Sequence, residues 1–168
     1  MNELEKAKQY GCDLHDLRNY KYGEYPYSKH LEMVYEIAKK YIYLIPEKWK
    51  NTVLCTAWLH DTIEDCGITY NDIKFRFNVQ IAENVIALTN DIRGRTRKER
   101  AESSYQAIKE NKYANFIKIC DRIANMTFSK SQGSSMYDKY KKEHDDFYNA
   151  IYIDSYGFDE MWDELKSI

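Results

Sequence analysis

The run Trp58-Leu59-His60-Asp61-Thr62-Ile63-Glu64-Asp65 gathers one imidazole and three carboxylates into six residues. Helical spacing puts Val53, Ala57, His60, Asp61 and Glu64 on one stripe, because side chains three and four apart are neighbours. An apolar stripe normally faces a core. This one runs from apolar residues into a His-Asp pair and then a Glu-Asp pair, groups that are costly to bury uncompensated. A divalent cation is the simplest compensation, since imidazole nitrogen and carboxylate oxygen are its usual ligands. His30 and Asp121 lie on two other apolar, helix-periodic stretches. With His60 and Asp61 they make two imidazoles and two carboxylates. That set suits a manganese-, iron-, cobalt- or magnesium-class ion and leaves positions open for water and substrate. Zinc is disfavoured, because no thiolate cluster accompanies them. Taken singly, each has a plainer role: His30 as a hydrogen-bonded core histidine, Asp121 as half of an ion pair with Arg122, residues 60–65 as a solvated helix end.

The elements that must position these residues read as helices. Asn2 with Glu5 forms a capping box that starts a helix through about Leu17. Residues 20–27 carry Gly23 and Pro26 and read as a loop. Ser28 opens a helix with His30, Val34, Ile37 and Tyr41 on its inner stripe. Pro46 suits the first turn of a third helix, which is expected to run into the 60–65 segment. Thr69 with Asp72 caps a short helix to Phe77, and Ile81, Val85 and Leu88 mark the next. After a polar break at 91–97, Thr96 with Glu99 caps a helix carrying Ala101, Tyr105 and Ile108. Residues 114–128 are strongly apolar, with Ile117, Asp121, Asn125 and Phe128 on one face. Ser129 to Ser135 reads as a loop. Ser135 with Asp138 opens a helix with Tyr140, His144, Phe147 and Ile151 inside, and Met161, Trp162 and Leu165 define a last one. No stretch alternates like a half-buried strand, so the expected architecture is an all-α, single-domain helical globule over residues 1–168.

Composition narrows the function classes. The 168 residues suffice for one core. Charge is nearly balanced, 25 basic against 27 acidic residues, which argues against a nucleic-acid or membrane partner held by bulk electrostatics. Cys12, Cys55, Cys66 and Cys120 form no C-x-x-C pair and read as reduced thiols of a cytoplasmic protein. No signal peptide or membrane-length apolar run is found. Cys66 and Cys120 flank proposed site residues but lack a nucleophile's setting. His15 and His144 read as structural.

His30, His60-Asp61 and Asp121 match the H…HD…D signature of HD-domain phosphohydrolases. His60-Asp-x-x-Glu-Asp65 is similar to the HDxxED box of the RelA/SpoT-type alarmone hydrolases, the small stand-alone ones included. Ile117-Lys-Ile-Cys-Asp121-Arg-Ile-Ala-Asn125-Met126 resembles their K-L-A-D-R-L-x-N-M stretch. Residues Lys21 to His30 resemble their R-K-x-G-x-P-Y-x-x-H segment. The resemblance spans roughly Ala7 to Phe147 and implies a single HD-type domain. It further implies metal ligands His30, His60, Asp61 and Asp121, and an acidic pair, Glu64 and Asp65, that orients and deprotonates water. Lys21 would meet a phosphate or base edge, and Asn125 the substrate. The implied metal is manganese, and the implied reaction removes the 3′-pyrophosphate of guanosine tetra- or pentaphosphate. Tyr20 stands where the family carries a stacking arginine; an aromatic ring also stacks on a base. Tyr25 reads as an insertion, and Leu31 replaces a proline. There is no room for a synthetase domain, so the chain is expected only to degrade.

Tyr140 and Lys141 lie where related enzymes supply a phosphate contact. Arg93, Arg95, Arg97, Lys98 and Arg100 form a basic cluster that either gathers phosphates or is a solvated helix start. The expected partner is a small nucleotide, with no nucleic acid and no membrane; the oligomeric state is not legible. Two other readings compete. One is an HD hydrolase of another nucleotide: a nucleoside 5′-phosphate, a deoxynucleoside triphosphate or a phosphorylated dinucleotide. The other is a non-catalytic nucleotide-binding module, against which the intact ligands and acidic pair count.

Overall fold

The computed structural model describes residues 1–91, 93 and 96–168. Helix α1 (Glu3–Leu17) begins at the expected capping box. Residues 20–27, read as a loop, contain a small antiparallel hairpin instead. Strands β1 (Lys21–Tyr22) and β2 (Tyr25–Pro26) pair Lys21 with Pro26 and Tyr22 with Tyr25. Gly23 turns the hairpin at φ +58°, a conformation that glycine adopts without a Cβ penalty. Helices α2 (Ser28–Lys40) and α3 (Glu47–Leu59) follow.

The third predicted helix does not run unbroken to Asp65. It stops at Leu59, and a separate turn of helix, α4 (Thr62–Cys66), carries Glu64 and Asp65. Side chains account for the break. His60 Nδ1 donates to the Ala57 carbonyl at 2.8 Å and Thr62 Oγ1 to that of Leu59 at 2.7 Å. These donors take carbonyls that a continuing helix would use. Helices α5 (Tyr70–Arg76) and α6 (Val79–Leu88) match their expected ranges.

The stretch read as one helix after Thr96 is two, α7 (Arg97–Glu102) and α8 (Tyr105–Glu110). Between them Ser103 donates to the Arg100 carbonyl, while Ser104 reaches the Asn90 side chain at 2.7 Å. Helix α9 (Lys112–Ser131) outlasts its predicted end. The helix expected from Ser135 to Ile151 is likewise divided, into α10 (Ser135–Lys142) and α11 (His144–Ile151). Glu143 sits at that break, bound by Arg97 and Arg122. Helix α12 (Asp159–Ser167) closes the chain. Among the described residues, no helix is long and apolar enough to cross a membrane.

Two apolar clusters hold these elements together. One joins α2, α3, α9, α11 and α12 through Val34, Val53, Phe116, Ile117, Phe147 and Met161. The other joins α1, α2, α3, α5 and α6 through Ala7, Leu31, Leu59, Ile73 and Ile81. Both use α2 and α3, so these helices sit centrally, packed on α9 and α1 respectively. Gly11 allows the closest approach: a Cβ there would collide with the Trp58 carbonyl oxygen. This contact sets the height of α1 against the end of α3.

Candidate metal centre and its surroundings

The structure brings His30 from α2, the His60-Asp61 pair from the α3–α4 break and Asp121 from α9 to one point. His30 Nε2 lies 3.2 Å from His60 Nε2 and 3.1 Å from Asp121 Oδ1. Asp61 Oδ2 lies 2.9 Å from His60 Nε2 and 3.6 Å from His30 Nε2. Both imidazoles are buried, at 1% and 3% exposure. His30, His60 and Asp121 form a group able to hold a metal ion, and Asp61 joins them through these contacts.

The donor chemistry fits a divalent cation. His60 donates through Nδ1 to the Ala57 carbonyl, which aims Nε2 inward, as an outer hydrogen bond does for a ligand histidine. If each imidazole instead donates to its own carboxylate, two N–H groups face each other 3.2 Å apart. A central cation removes that conflict. Separations near 3 Å are those expected of neighbouring ligands about 2.1 Å from one ion.

Outer partners hold the carboxylates. Tyr27 donates its hydroxyl to Asp61 Oδ2 at 2.6 Å. Lys118 Nζ reaches Asp121 Oδ2 at 2.9 Å, and Asn125 Nδ2 reaches Asp121 Oδ1 at 2.7 Å. Tyr22 donates to Asn125 Oδ1 at 2.9 Å and stacks on Phe128 with ring centres 4.1 Å apart. Lys118, not Arg122, is therefore the cationic partner of Asp121. Arg122 pairs with Glu143 and lies over the Tyr140 and Phe147 rings.

Electrostatics follow from this packing. Burial alone would raise the Asp61 and Asp121 carboxyls, but His60 beside Asp61, and Lys118 with His30 beside Asp121, hold both well below the usual range. Burial opposes the His60 charge, yet Asp61 and then Asp121 lift it to about 9. A proton thus sits on the cluster at neutral pH. A ligand imidazole must be neutral, so cation binding should expel it. Manganese affinity is expected to rise with pH up to about 9 and level off beyond it. Calorimetry in buffers of different ionisation enthalpy should detect the released proton; binding with no proton release at pH 7 would contradict this assignment.

Glu64 behaves oppositely. Burial and the nearby Asp61 charge push it up to about 7, against the pull of Lys118 and a hydrogen bond from Asn90. A carboxyl poised near neutrality beside a candidate metal site has the protonation balance that general acid–base chemistry uses. Asp65 lies on the same turn, its Oδ2 3.6 Å from His15 Nε2.

The remaining sequence candidates fall in different places. Tyr20 is 40% exposed, its ring edge-on to His15 and Tyr27. Lys21 is exposed on β1. The Asn125 amide is engaged at both ends, by Asp121 and Tyr22, so it braces the cluster. Tyr140 lies against the Arg97 and Arg122 guanidinium groups and lines a 350 Å³ cavity beside the cluster, with Tyr22, Asn125, Phe128, Ser134 and Met136. Lys141 turns away to Tyr137 and lines no part of it. Within the basic cluster, Arg93 pairs with Asp91, Arg97 with Glu143 and Lys98 with Glu102. Arg95 lies outside the described residues. Among the described residues, larger hollows of 510, 630 and 370 Å³ share no residue with the metal cluster.

Sequence reasoning did not single out Tyr22, Tyr27, Asn90 or Lys118. A lysine three residues before Asp121 on an apolar helix is a legible signal of pairing. The two tyrosines are marked only by their place in the hairpin segment.

Known proteins share this fold. A metazoan ortholog of SpoT that hydrolyses ppGpp superposes with a TM-score of 0.73 at 21% identity, over 99% of this chain and 95% of that one. The chain shares the small, helical HD-type fold of that protein. A protein of Listeria monocytogenes EGD-e shares this HD-type fold with a TM-score of 0.62 at 22% identity, over 82% of this chain and 97% of that one. In sequence, the guanosine-3′,5′-bis(diphosphate) 3′-pyrophosphohydrolase of Aquifex aeolicus (strain VF5) is 28% identical over 128 residues. That match covers 74% of this HD-type chain but 17% of the relative's own length. No family model matches the chain. The expected all-α HD-type architecture is thus borne out, with the hairpin as its one addition among the described residues.

Proposed function

We propose that this chain is a metal-dependent nucleotide pyrophosphohydrolase acting on guanosine 3′,5′-bis(diphosphate) or pentaphosphate. The observation that carries the reading is the meeting of His30, His60, Asp61 and Asp121 beside Glu64, on an HD-type fold. The match to the Aquifex pyrophosphohydrolase and the fold shared with the ppGpp-hydrolysing SpoT ortholog support it.

In this reading His30, His60, Asp61 and Asp121 hold the cation, manganese first, and residues 1–168 act as a single HD domain. When bound, the ion supplies Lewis acidity toward phosphate oxygens and eases deprotonation of water. Glu64 accepts the proton of the attacking water, and Asp65 orients that water. The water oxygen bonds to the phosphorus on the ribose 3′-oxygen. The bond from phosphorus to that oxygen breaks, the 3′-oxygen takes up a proton and pyrophosphate leaves. Tyr27 and Lys118 keep Asp61 and Asp121 oriented throughout. The cavity beside the cluster is of a size for a nucleoside, and Tyr22, Phe128 and Tyr140 give it an aromatic lining.

A second substrate class has one observation in its favour: Tyr20 occupies the position of the family's stacking arginine. The deciding experiment is a nucleotide panel with manganese. Guanosine 3′,5′-bis(diphosphate) should yield pyrophosphate at the highest kcat/KM. A faster reaction with a nucleoside 5′-phosphate, a deoxynucleoside triphosphate or a phosphorylated dinucleotide would move the assignment to that class. Failure to bind any first-row metal would leave only a binding module.

A further inference from the structure

His15 is fully buried in the last turn of α1. Its Nδ1 donates to the Gly11 carbonyl at 2.8 Å. Its Nε2 is buried and has no hydrogen-bond partner, a costly state for an imidazole in an apolar setting. An apolar side chain would fill the space at lower cost. The ring is held in one orientation: Tyr27 stacks on it at 4.6 Å with 14° between planes, and Tyr20 stands edge-on at 6.0 Å. That orientation aims Nε2 at Asp65 Oδ2, 3.6 Å away, with the Asp65 side chain 17% exposed.

We propose that His15 is a positioning residue, whose buried imidazole fixes the Asp65 carboxylate in the orientation that holds the attacking water. The inference rests on the hydrolase reading above. With Oδ2 turned to His15, Oδ1 is the oxygen left for that water. The stacked Tyr27 face favours a cationic ring against it. Burial pulls the His15 charge down, but Asp65, with Cys66 and the Gly11 carbonyl, lifts it to about 10. The charged group facing His15 is Asp65 on α4, and its other titratable neighbours are Cys66, Tyr20 and Tyr27. Gly11 completes the device. The approach of α1 to the Trp58 carbonyl that it permits places His15 level with α4.

The test compares wild type with His15→Asn and His15→Gln. An Asn amide reaches the position of Nδ1 and keeps the Gly11 bond; a Gln amide reaches the position of Nε2 and keeps a donor toward Asp65. With manganese and guanosine 3′,5′-bis(diphosphate), His15→Asn should lose on the order of 10–100-fold in kcat, the usual effect of removing an outer partner. KM and manganese affinity should stay unchanged, and His15→Gln should recover part of the loss. Independently of turnover, nitrogen NMR of the metal-free protein should find both His15 ring nitrogens protonated at pH 8, and one of them bare in Asp65→Asn. Equal losses in both His15 variants that track lowered melting temperature would make His15 a packing residue and overturn the proposal. A neutral His15 at pH 8 would overturn it too. If wild type releases no pyrophosphate, the hydrolase reading fails and the positioning role fails with it. The NMR result then still reports whether the His15–Asp65 pair exists.

Discussion

Asp121→Asn is expected to abolish metal-dependent turnover and to lower manganese affinity by more than about 100-fold. Removing even an outer partner of a metal ligand costs on the order of 10–100-fold. In the proposed ligand set Asp121 would contribute more than that, as an anionic donor 3.1 Å from His30 Nε2. The same substitution should destabilise the metal-free protein. Lys118 is 17% exposed and pairs with Asp121 at 2.9 Å. Withdrawing the carboxylate leaves its ammonium without its partner, which costs about 3 kcal/mol, the lower end for breaking a buried pair. The two losses are separable. Adding Lys118→Met should restore most of the melting temperature, because no charge is then stranded, while metal binding stays lost. Equilibrium dialysis with manganese and a thermal melt of both proteins read out the two effects. Wild-type manganese affinity in Asp121→Asn would remove Asp121 from the ligand set.

Glu64→Gln should reduce kcat by about 10²–10⁴, the range of a positioned proton acceptor, while retaining metal. Gln preserves shape but carries no charge and takes no proton. A stability signature accompanies the loss. Burial and Asp61 push the Glu64 carboxyl up from its ordinary 4.5 to about 7 in the folded protein. The folded state therefore binds more protons than the unfolded state between those values, and stability falls as pH rises through that window. Gln does not ionise. Metal-free Glu64→Gln should melt above wild type at pH 8, and the two should converge near pH 4. A variant slower but no more stable at pH 8 would mean that Glu64 is not held against its charge. The site would thus trade stability for reactivity at one carboxyl. A bound dication should relieve the strain, lowering the Glu64 titration and narrowing the gap in melting temperature.

The helices and their starts were legible because capping is local. Asn2 with Glu5, Thr69 with Asp72 and Thr96 with Glu99 each close a hydrogen-bonded box three residues long, and all three form as read. Residue type and order also marked the four donors, since imidazoles and carboxylates on apolar stripes are conspicuous wherever the chain goes. The breaks were less legible. At His60, Ser103 and Glu143 the periodicity runs on, but side chains capture carbonyls or distant cations and interrupt it. Periodicity registers which face is apolar and carries no record of such competition.

What the sequence by itself determined is the all-α character, and it marked the four imidazole and carboxylate residues proposed as donors and the acidic pair after them. What only the tertiary structure decided is their company. Tyr27 reaches Asp61 across 34 positions and Tyr22 reaches Asn125 across 103, while His15 turns from a core residue into one facing Asp65 because Gly11 lets α1 approach α3. The physical reason is range. Backbone hydrogen bonding and capping act over three or four residues, and so are written in local spacing. The charge state of a buried carboxyl depends on every group within a few ångströms, and the packing of whole helices brings those groups together.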